Sequence, residues 1–255
     1  MDKLMDTIKK LNRAFSTLDF SEQQPYADSL ETYKTLAHNY ACTENAIAVL
    51  SDLRTHVSYI YYGGFAHTLG LGKGQQEAIV SSIWEEEIFQ RVHPDDLASK
   101  HGQELCFFQF VKRQPSGRRT DYYLSSPLRM KNGKGSYLPV WHRIFYITGP
   151  SKGPLWLGLC LYSPWVFGQL TPAVVVNSVT GETLEMGEQQ PSDLLSTREK
   201  QVLGLIDKGL TSKDIADMLS ISVHTVSRHR QTILDKLQVG NSIEACRIAK
   251  IGGMI

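Results

Sequence analysis

Leu4, Ile8, Leu11 and Phe15 recur at helical spacing, which predicts an amphipathic helix over residues 2–16 whose apolar stripe could cover its own domain or that of a second copy. Residues 26–40 predict a second helix. Two β-rich runs follow, "AIAVLSDLR" and "HVSYIYYGG", and then a glycine-rich passage, "GGFAHTLGLGKG". The stretch "QQEAIVSSIWEEEIFQRV" is read as helical. So is "HPDDLASKHGQELCFFQFVKRQ", in which Leu97, His101, Leu105 and Phe108 share a face. Three longer strand-like runs, "RRTDYYLSSPLRMK", "SYLPVWHRIFYI" and "PLWLGLCLYS", are separated by the turn sequences "NGKG" and "GPSKG". "TPAVVVNSVTGETLEMG" then reads as a trailing hairpin. Two strands, helices, then three strands on short turns predict an α+β module: an antiparallel sheet with helices on one face.

After the polar, proline-containing "EQQPSD" the pattern turns wholly helical. In "LSTREKQVLGLIDKG", Ser196 and Glu199 have the spacing of a capping box, Val202, Leu203, Leu205 and Ile206 give the apolar face, and Gly209 ends the helix. "LTSKDIADMLS" repeats the device with Thr211 and Asp214, with Ile215, Ala216 and Leu219 as its stripe. Ser222 can cap a third helix, and "NSIEACRIAKI" predicts a fourth that starts near Asn241. The expected organisation is N-terminal helices over 1–44, a sensory or interaction module with its hairpin over 45–187, a linker over 188–193, and an all-α four-helix domain over 194–255.

The third helix carries the chemistry. At about 100° per residue, Val223, Val226, Ile233, Leu234 and Leu237 fall in one sector and are expected to be buried. Ser227, Arg228, Gln231, His224 and Asp235 point the other way, and Thr225, His229, Thr232 and Lys236 line a flank. A polar, long-limbed outer face with cations suits a helix that enters a DNA major groove. Arg230 falls close to the apolar sector, where it can snorkel, pair with an acid such as Glu199, or reach a phosphate. Charge agrees mildly: from Ser192 onward nine Lys and Arg face seven Asp and Glu, whereas the rest of the chain has eighteen against nineteen.

This stretch, "LSTREKQVLGLIDKGLTSKDIADMLSISVHTVSRHRQTILDKL", resembles the helix-turn-helix of LuxR-type transcription regulators through its "STRE" opening, "KDIA", "SVHTVSRH" and closing "KL". The resemblance implies a domain that binds double-stranded DNA, with a fourth helix that packs homodimers, acting on RNA polymerase. It places Ser227, Arg228 and Gln231 at base-reading positions. Thr211, Ser212, Lys213, His224, Thr225, Arg230 and Lys236 stand at or near backbone-contact positions. Ser227 and Gln231 depart from the lysines common in the family, so an operator sequence does not transfer. The upstream order of elements, with "VHPDD" opening a helix, resembles a PAS domain over about residues 45–163, which implies a sensing or interaction role.

Other readings are weighed on the same residues. A sigma-factor region-four module shares the motif, but it lacks the helix after "KLQVGNS" and the mixed upstream half. Trp84, Phe89, Tyr123, Trp141, Phe145 and Trp156 either line a small-molecule pocket or form core. His67, His93, His101 and His142 lie in the same module with nothing around them in the sequence to mark a haem ligand, and the flavin-binding string of light-sensing PAS relatives is absent. Cys42, Cys106, Cys160 and Cys246 are widely spaced with no CxxC or Cys/His pairing, so neither a metal site nor a disulfide framework is indicated. No nucleophile, base and orienting acid stand out, so no enzyme and no cofactor is expected. Without a signal-peptide or spanning segment, a cytoplasmic protein is expected.

Overall fold

The computed structural model describes residues 2–21, 25–150, 153–166, 168, 170–185, 195–237 and 239–251; the side chains of residues 2–4, 248 and 251 lie outside that description. The chain divides into two units, Met1–Gly187 and Glu188–Ile255. The expected linker over 188–193 lies outside the described residues.

In the first unit, helices α1 (Asp2–Phe15) and α2 (Tyr26–Thr43) precede a hairpin of β1 (Ile47–Asp52) and β2 (Val57–Tyr62). Then come α3 (Phe65–Leu69), β3 (Glu77–Val80), α4 (Glu86–Phe89) and the long α5 (Pro94–Arg113). The meander of β4 (Tyr122–Lys131), β5 (Tyr137–Thr148) and β6 (Leu155–Pro164) follows, and then the hairpin of β7 (Val174–Asn177) and β8 (Thr183–Glu185). The described strands form one antiparallel sheet in the order β3-β2-β1-β6-β5-β4-β7-β8.

Two sequence expectations change here. Helices cover both faces of the sheet, not one. Alternate residues of β1 and β6 part company: Ile47, Val49, Cys160 and Tyr162 join the core under α1 and α5, while Ala48, Leu50, Leu157, Leu159 and Leu161 pack beneath α2 with Tyr26, Ala37 and Ala41. A strand covered on both faces loses its hydrophobic alternation, which is why β1 is buried at every position. The second correction concerns "QQEAIVSSIWEEEIFQRV", read as helical. Its residues 77–80 are β3, pairing with β2 from Ser58↔Val80 to Tyr61↔Glu77, and only Glu86–Phe89 is α-helical. Ala78 and Val80 pack on the core while Ile79 faces solvent, a period of two that outweighs local helix propensity.

The "VHPDD" string works at two levels. His93 caps α5, with Nδ1 accepting from the Asp95 amide at 3.3 Å, and Pro94 occupies the first turn. Asp96 reaches out of the helix to the Arg129 guanidinium at 2.6 Å and the Arg129 amide at 2.7 Å, which ties α5 to β4. The stripe of α1 lies within its own unit: Leu11 and Phe15 are buried, and the Phe15 and Phe108 rings meet edge-on at 5.0 Å. The Leu4 side chain belongs to the same expected stripe but lies outside the described residues.

The second unit holds α6 (Thr197–Asp207), α7 (Ser212–Leu219), α8 (Val223–Leu237) and α9 (Ser242–Ile251) around Val202, Leu203, Ile215, Val226, Ile233, Ala245 and Ala249. Both capping boxes form, Ser196 with Glu199 and Thr211 with Asp214. Gly209 takes a left-handed φ of 82° after α6, where a Cβ would be strained. The Ser222 hydroxyl accepts from the Thr225 amide, and the Asn241 side chain accepts from the Glu244 amide. All four helix starts in this unit are thus set by side chains that stand at the expected positions.

Candidate nucleic-acid interface

The inner face of α8 is fixed by Val226, Ile233 and Leu237, all buried, with Leu234 packed beside them. Val223 was expected in this set and is 47% exposed. It sits in the first turn of α8, beyond the end of the core, so its angular position alone does not bury it.

Opposite this face, Ser227, Arg228 and Gln231 are exposed, as is His224. The Arg228 carbonyl accepts from the Thr232 hydroxyl at 2.9 Å, while its exposed guanidinium has no hydrogen bond or ion pair among the described residues, leaving its donors turned to solvent. Gln231 donates to Asp235 Oδ1 at 2.9 Å along the same helix face. Thr225 is half-buried, and its hydroxyl lies 2.8 Å from that of Ser222. Lys213 is exposed in the first turn of α7. In that turn Thr211 caps the helix, its hydroxyl also 2.6 Å from Asp214 Oδ2, and these bonds hold the Asp214 carboxyl below the usual range.

Two cations are engaged internally. Arg230 donates to Ser212 Oγ at 2.8 Å and to Ser242 Oγ at 3.3 Å, so it spans the starts of α7 and α9 from the middle of α8. The suggested pairing of Arg230 with Glu199 does not occur. Glu199 instead receives Lys236 Nζ at 2.6 Å and the Ser196 amide at 2.7 Å. Burial alone would raise the Glu199 carboxyl, but these donors outweigh it and its pKa falls below the usual value. The sequence reading passed over Arg198, whose guanidinium donates to the Leu219 carbonyl at 2.7 Å and closes the end of α7 onto α6. An unpaired helix-end carbonyl within reach of a preceding arginine is invisible until the helices are folded together.

In the first unit the six aromatic residues considered for a pocket separate. Trp84 and Phe89 line a cavity of about 40 Å³ with Phe15, Lys100, Glu104 and Cys160. Tyr123 and Phe145 stack across β4 and β5 at 4.9 Å. The Trp141 indole donates to Ser125, and Trp156 is buried on the α2 side, donating to Asp52 at 3.0 Å. No helix among the described residues is long and apolar enough to cross a membrane.

Residues 193–249 match the family model for bacterial regulatory proteins of the luxR family. The virulence regulator BvgA of Bordetella pertussis is 37% identical over 78 residues, 29% of this chain and 37% of that protein. The regulatory protein ComA of Bacillus subtilis is 37% identical over 67 residues, 26% of this chain and 31% of its own length. The chain therefore spans about a third of the curated relatives it matches. A phage VqmA–DPO complex overlaps 91% of this chain and 92% of its own at 14% identity and a TM-score of 0.31, too low to define a shared arrangement. What the helices, their caps and the matched segment establish together is a LuxR-family helix-turn-helix domain at the C-terminal end of this chain.

Proposed function

We propose that the protein is a sequence-specific, double-stranded DNA-binding transcription regulator that works in the cytoplasm as a homodimer and acts on RNA polymerase. The observation that carries this is the outer face of α8: Ser227, Arg228 and Gln231 project from a helix whose opposite face is locked into the core by Val226, Ile233 and Leu237. A helix held this way can enter a major groove about 12 Å wide with its side chains already aimed at base edges. Arg228 is the principal reader, by a bidentate contact to guanine. Ser227 and Gln231 read beside it, Gln231 exchanging its bond to Asp235 for a base.

The α7 start supplies phosphate contacts from Lys213 and the amides around Thr211 and Ser212, with His224 and Thr225 gripping from α8. Arg230 and Lys236, already bonded within the domain, serve the backbone indirectly by holding α8 in place. For pairing, the favoured surface is α9, on which Ile243 is 85% exposed, since the α1 stripe is spent on its own unit. The N-terminal unit is proposed as a PAS-like input module. The internal cavity of about 40 Å³ is far below the roughly 300–1,000 Å³ of organic-ligand pockets and suits only a very small effector, whereas a more open cleft of about 350 Å³ between α2 and the β2–β3 edge, lined by Lys34, His38, Tyr59 and Tyr61, has room for a larger effector or a protein partner.

The test is selection of a preferred duplex from a random pool, followed by binding of wild type and Arg228→Ala to selected and scrambled duplexes. Loss of Arg228 is expected to remove about 1–3 kcal/mol of discrimination, with two protein copies per selected duplex. An unchanged specificity ratio removes Arg228 from the reading set, and one copy per duplex at all concentrations removes the dimer.

A further inference from the structure

The N-terminal unit turns an unusual set of side chains inward. Across one face of the sheet, Ser126, His142 and Tyr162 stand opposite one another on β4, β5 and β6, and Cys160 is a diagonal neighbour of His142 in the register. From the facing side α5 lowers Glu104. The ligating atoms of Glu104, His142 and Cys160 all lie within 4.8 Å of one another, with His142 Nε2 3.8 Å from Glu104 Oε1.

The imidazole of His142 is wholly buried. Its Nδ1 lies 3.1 Å from Ser126 Oγ, and its Nε2 has no hydrogen-bond partner among the described residues. A buried ring nitrogen left unpaired is uncommon because it gives up its hydrogen bond to water without replacement. One nitrogen anchored by a hydroxyl while the other aims at a carboxylate and a thiol is the disposition of a metal-binding imidazole.

We infer that Glu104, His142 and Cys160 form a buried site for one divalent metal ion of the zinc type. Carboxylate, imidazole and thiolate together suit a borderline-soft ion in tetrahedral geometry. Metal–donor distances of about 2.0–2.3 Å place such donors roughly 3.3–3.6 Å apart. Glu104 and His142 are within a few tenths of an ångström of this, and rotation of the thiol brings in the third donor. Glu104 and Cys160 also line the cavity of about 40 Å³. That space exceeds the roughly 10–15 Å³ a water needs, so the fourth position opens onto room for a water or a small exchangeable ligand.

The rival cation is Lys100, fully buried, whose Nζ lies 2.5 Å from Glu104 Oε1. Without metal, the ammonium neutralises Glu104. With metal, Cys160 binds as thiolate and releases its proton to solvent, so that Glu104 and Cys160 together balance the ion's two charges. Lys100 then keeps its attraction to Glu85, which is itself held by the Ser51 and Ser58 hydroxyls at 3.1 and 3.0 Å. Charge closes in both states when Glu85, protonated without metal, also gives up its proton to solvent as the metal binds, leaving a carboxylate to pair with Lys100.

The site is tested on the purified full-length protein without DNA, so its failure leaves the DNA-binding reading untouched and the reverse also holds. Metal is removed with a chelator and Co²⁺ is added back. Wild type is expected to take up one equivalent, with tetrahedral d–d bands and a near-ultraviolet thiolate-to-cobalt band. Cys160→Ser should lose that thiolate band. Ser126→Ala should keep it while weakening affinity about 10–100-fold, as loss of an outer-shell partner does. If the variants fail to fold, the wild-type titration decides alone. No cobalt spectrum in wild type, or a thiolate band that survives in Cys160→Ser, overturns the assignment and leaves the cluster as a polar core neutralised by Lys100.

Discussion

The two units place their charged groups in opposite ways. In the C-terminal unit the chemistry points outward: Arg228 and Lys213 face solvent, and the buried carboxylate, Glu199, is satisfied by a helix cap and a lysine that still reaches water. In the N-terminal unit Lys100, Glu104, Glu85 and His142 are turned into the core between α5 and the sheet. A surface that grips a polyanion must be solvated and periodic along one helix. A site that isolates a small ion or holds a proton must be dry and assembled from several elements. Buried charge is tolerated only when paired, and here Lys100 meets Glu104 at 2.5 Å while Glu85 is held by the Ser51 and Ser58 hydroxyls.

The largest way to break this comparison is through packing. Trp156→Ala removes a wholly buried indole packed against Tyr26 and bonded to Asp52, and is expected to cost the N-terminal unit about 3–5 kcal/mol. Denaturant unfolding followed separately in each unit should show the C-terminal midpoint unmoved. A single transition that shifts as a whole would mean that the units do not unfold separately.

Next in size is an opposition in pH dependence. Burial pushes the Glu85 carboxyl up from the usual 4.5 to about 7, only partly opposed by Lys100 and the hydroxyls of Ser58 and Ser51. The folded state therefore holds its proton more tightly than the unfolded chain. Stability of the metal-free N-terminal unit should fall as pH rises from about 4.5 to about 7, by something on the order of 3 kcal/mol. Glu85→Gln should flatten that slope in a thermal-shift series.

The C-terminal unit should behave with the opposite sign. Because the folded Glu199 carboxyl titrates below its usual value, its contribution is present above about pH 4.5 and is lost as pH falls through the lowered value. Lys236→Ala leaves this carboxylate without its cation and is expected to cost about 1.5–3 kcal/mol at pH 7, and less at pH 3, measured by unfolding of the C-terminal transition. A variant as stable as wild type at both pH values would make the pair ornamental. The smallest effect concerns Lys213, exposed and without a side-chain hydrogen bond or ion pair among the described residues. Lys213→Ala should lower the slope of log affinity against log salt by about 0.9 if it meets one phosphate, while unfolding stays unchanged.

These contrasts track what could be read from the chain. Caps at Ser196, Thr211, Ser222 and Asn241 are visible because each motif closes within three residues. The outward placement of Arg228 follows from the helical period once Val226, Ile233 and Leu237 are known to be inside. Val223 misled because angular position says nothing about where a core stops. On α5, the expected stripe of Leu97, His101, Leu105 and Phe108 is only part of the inner face. Lys100 and Glu104 are buried beside it, which no hydrophobic pattern can mark, because a charged residue reads as exposed until its partner one turn away is seen to neutralise it.

The sequence by itself determined the helix-turn-helix, its caps and the outer face of its third helix, because those features depend on neighbours within a turn or two. It also determined most of the strands, whose alternation or apolar runs are local. Only the tertiary structure decided that both faces of the sheet are covered, that residues 77–80 form an edge strand, and that Lys236 rather than Arg230 answers Glu199. The meeting of Glu104, His142 and Cys160 belongs with these. The three residues come from one helix and two strands, 38 and 18 positions apart along the chain, and their proximity is set by strand register and by the tether of Asp96 to Arg129 rather than by any spacing a motif could record.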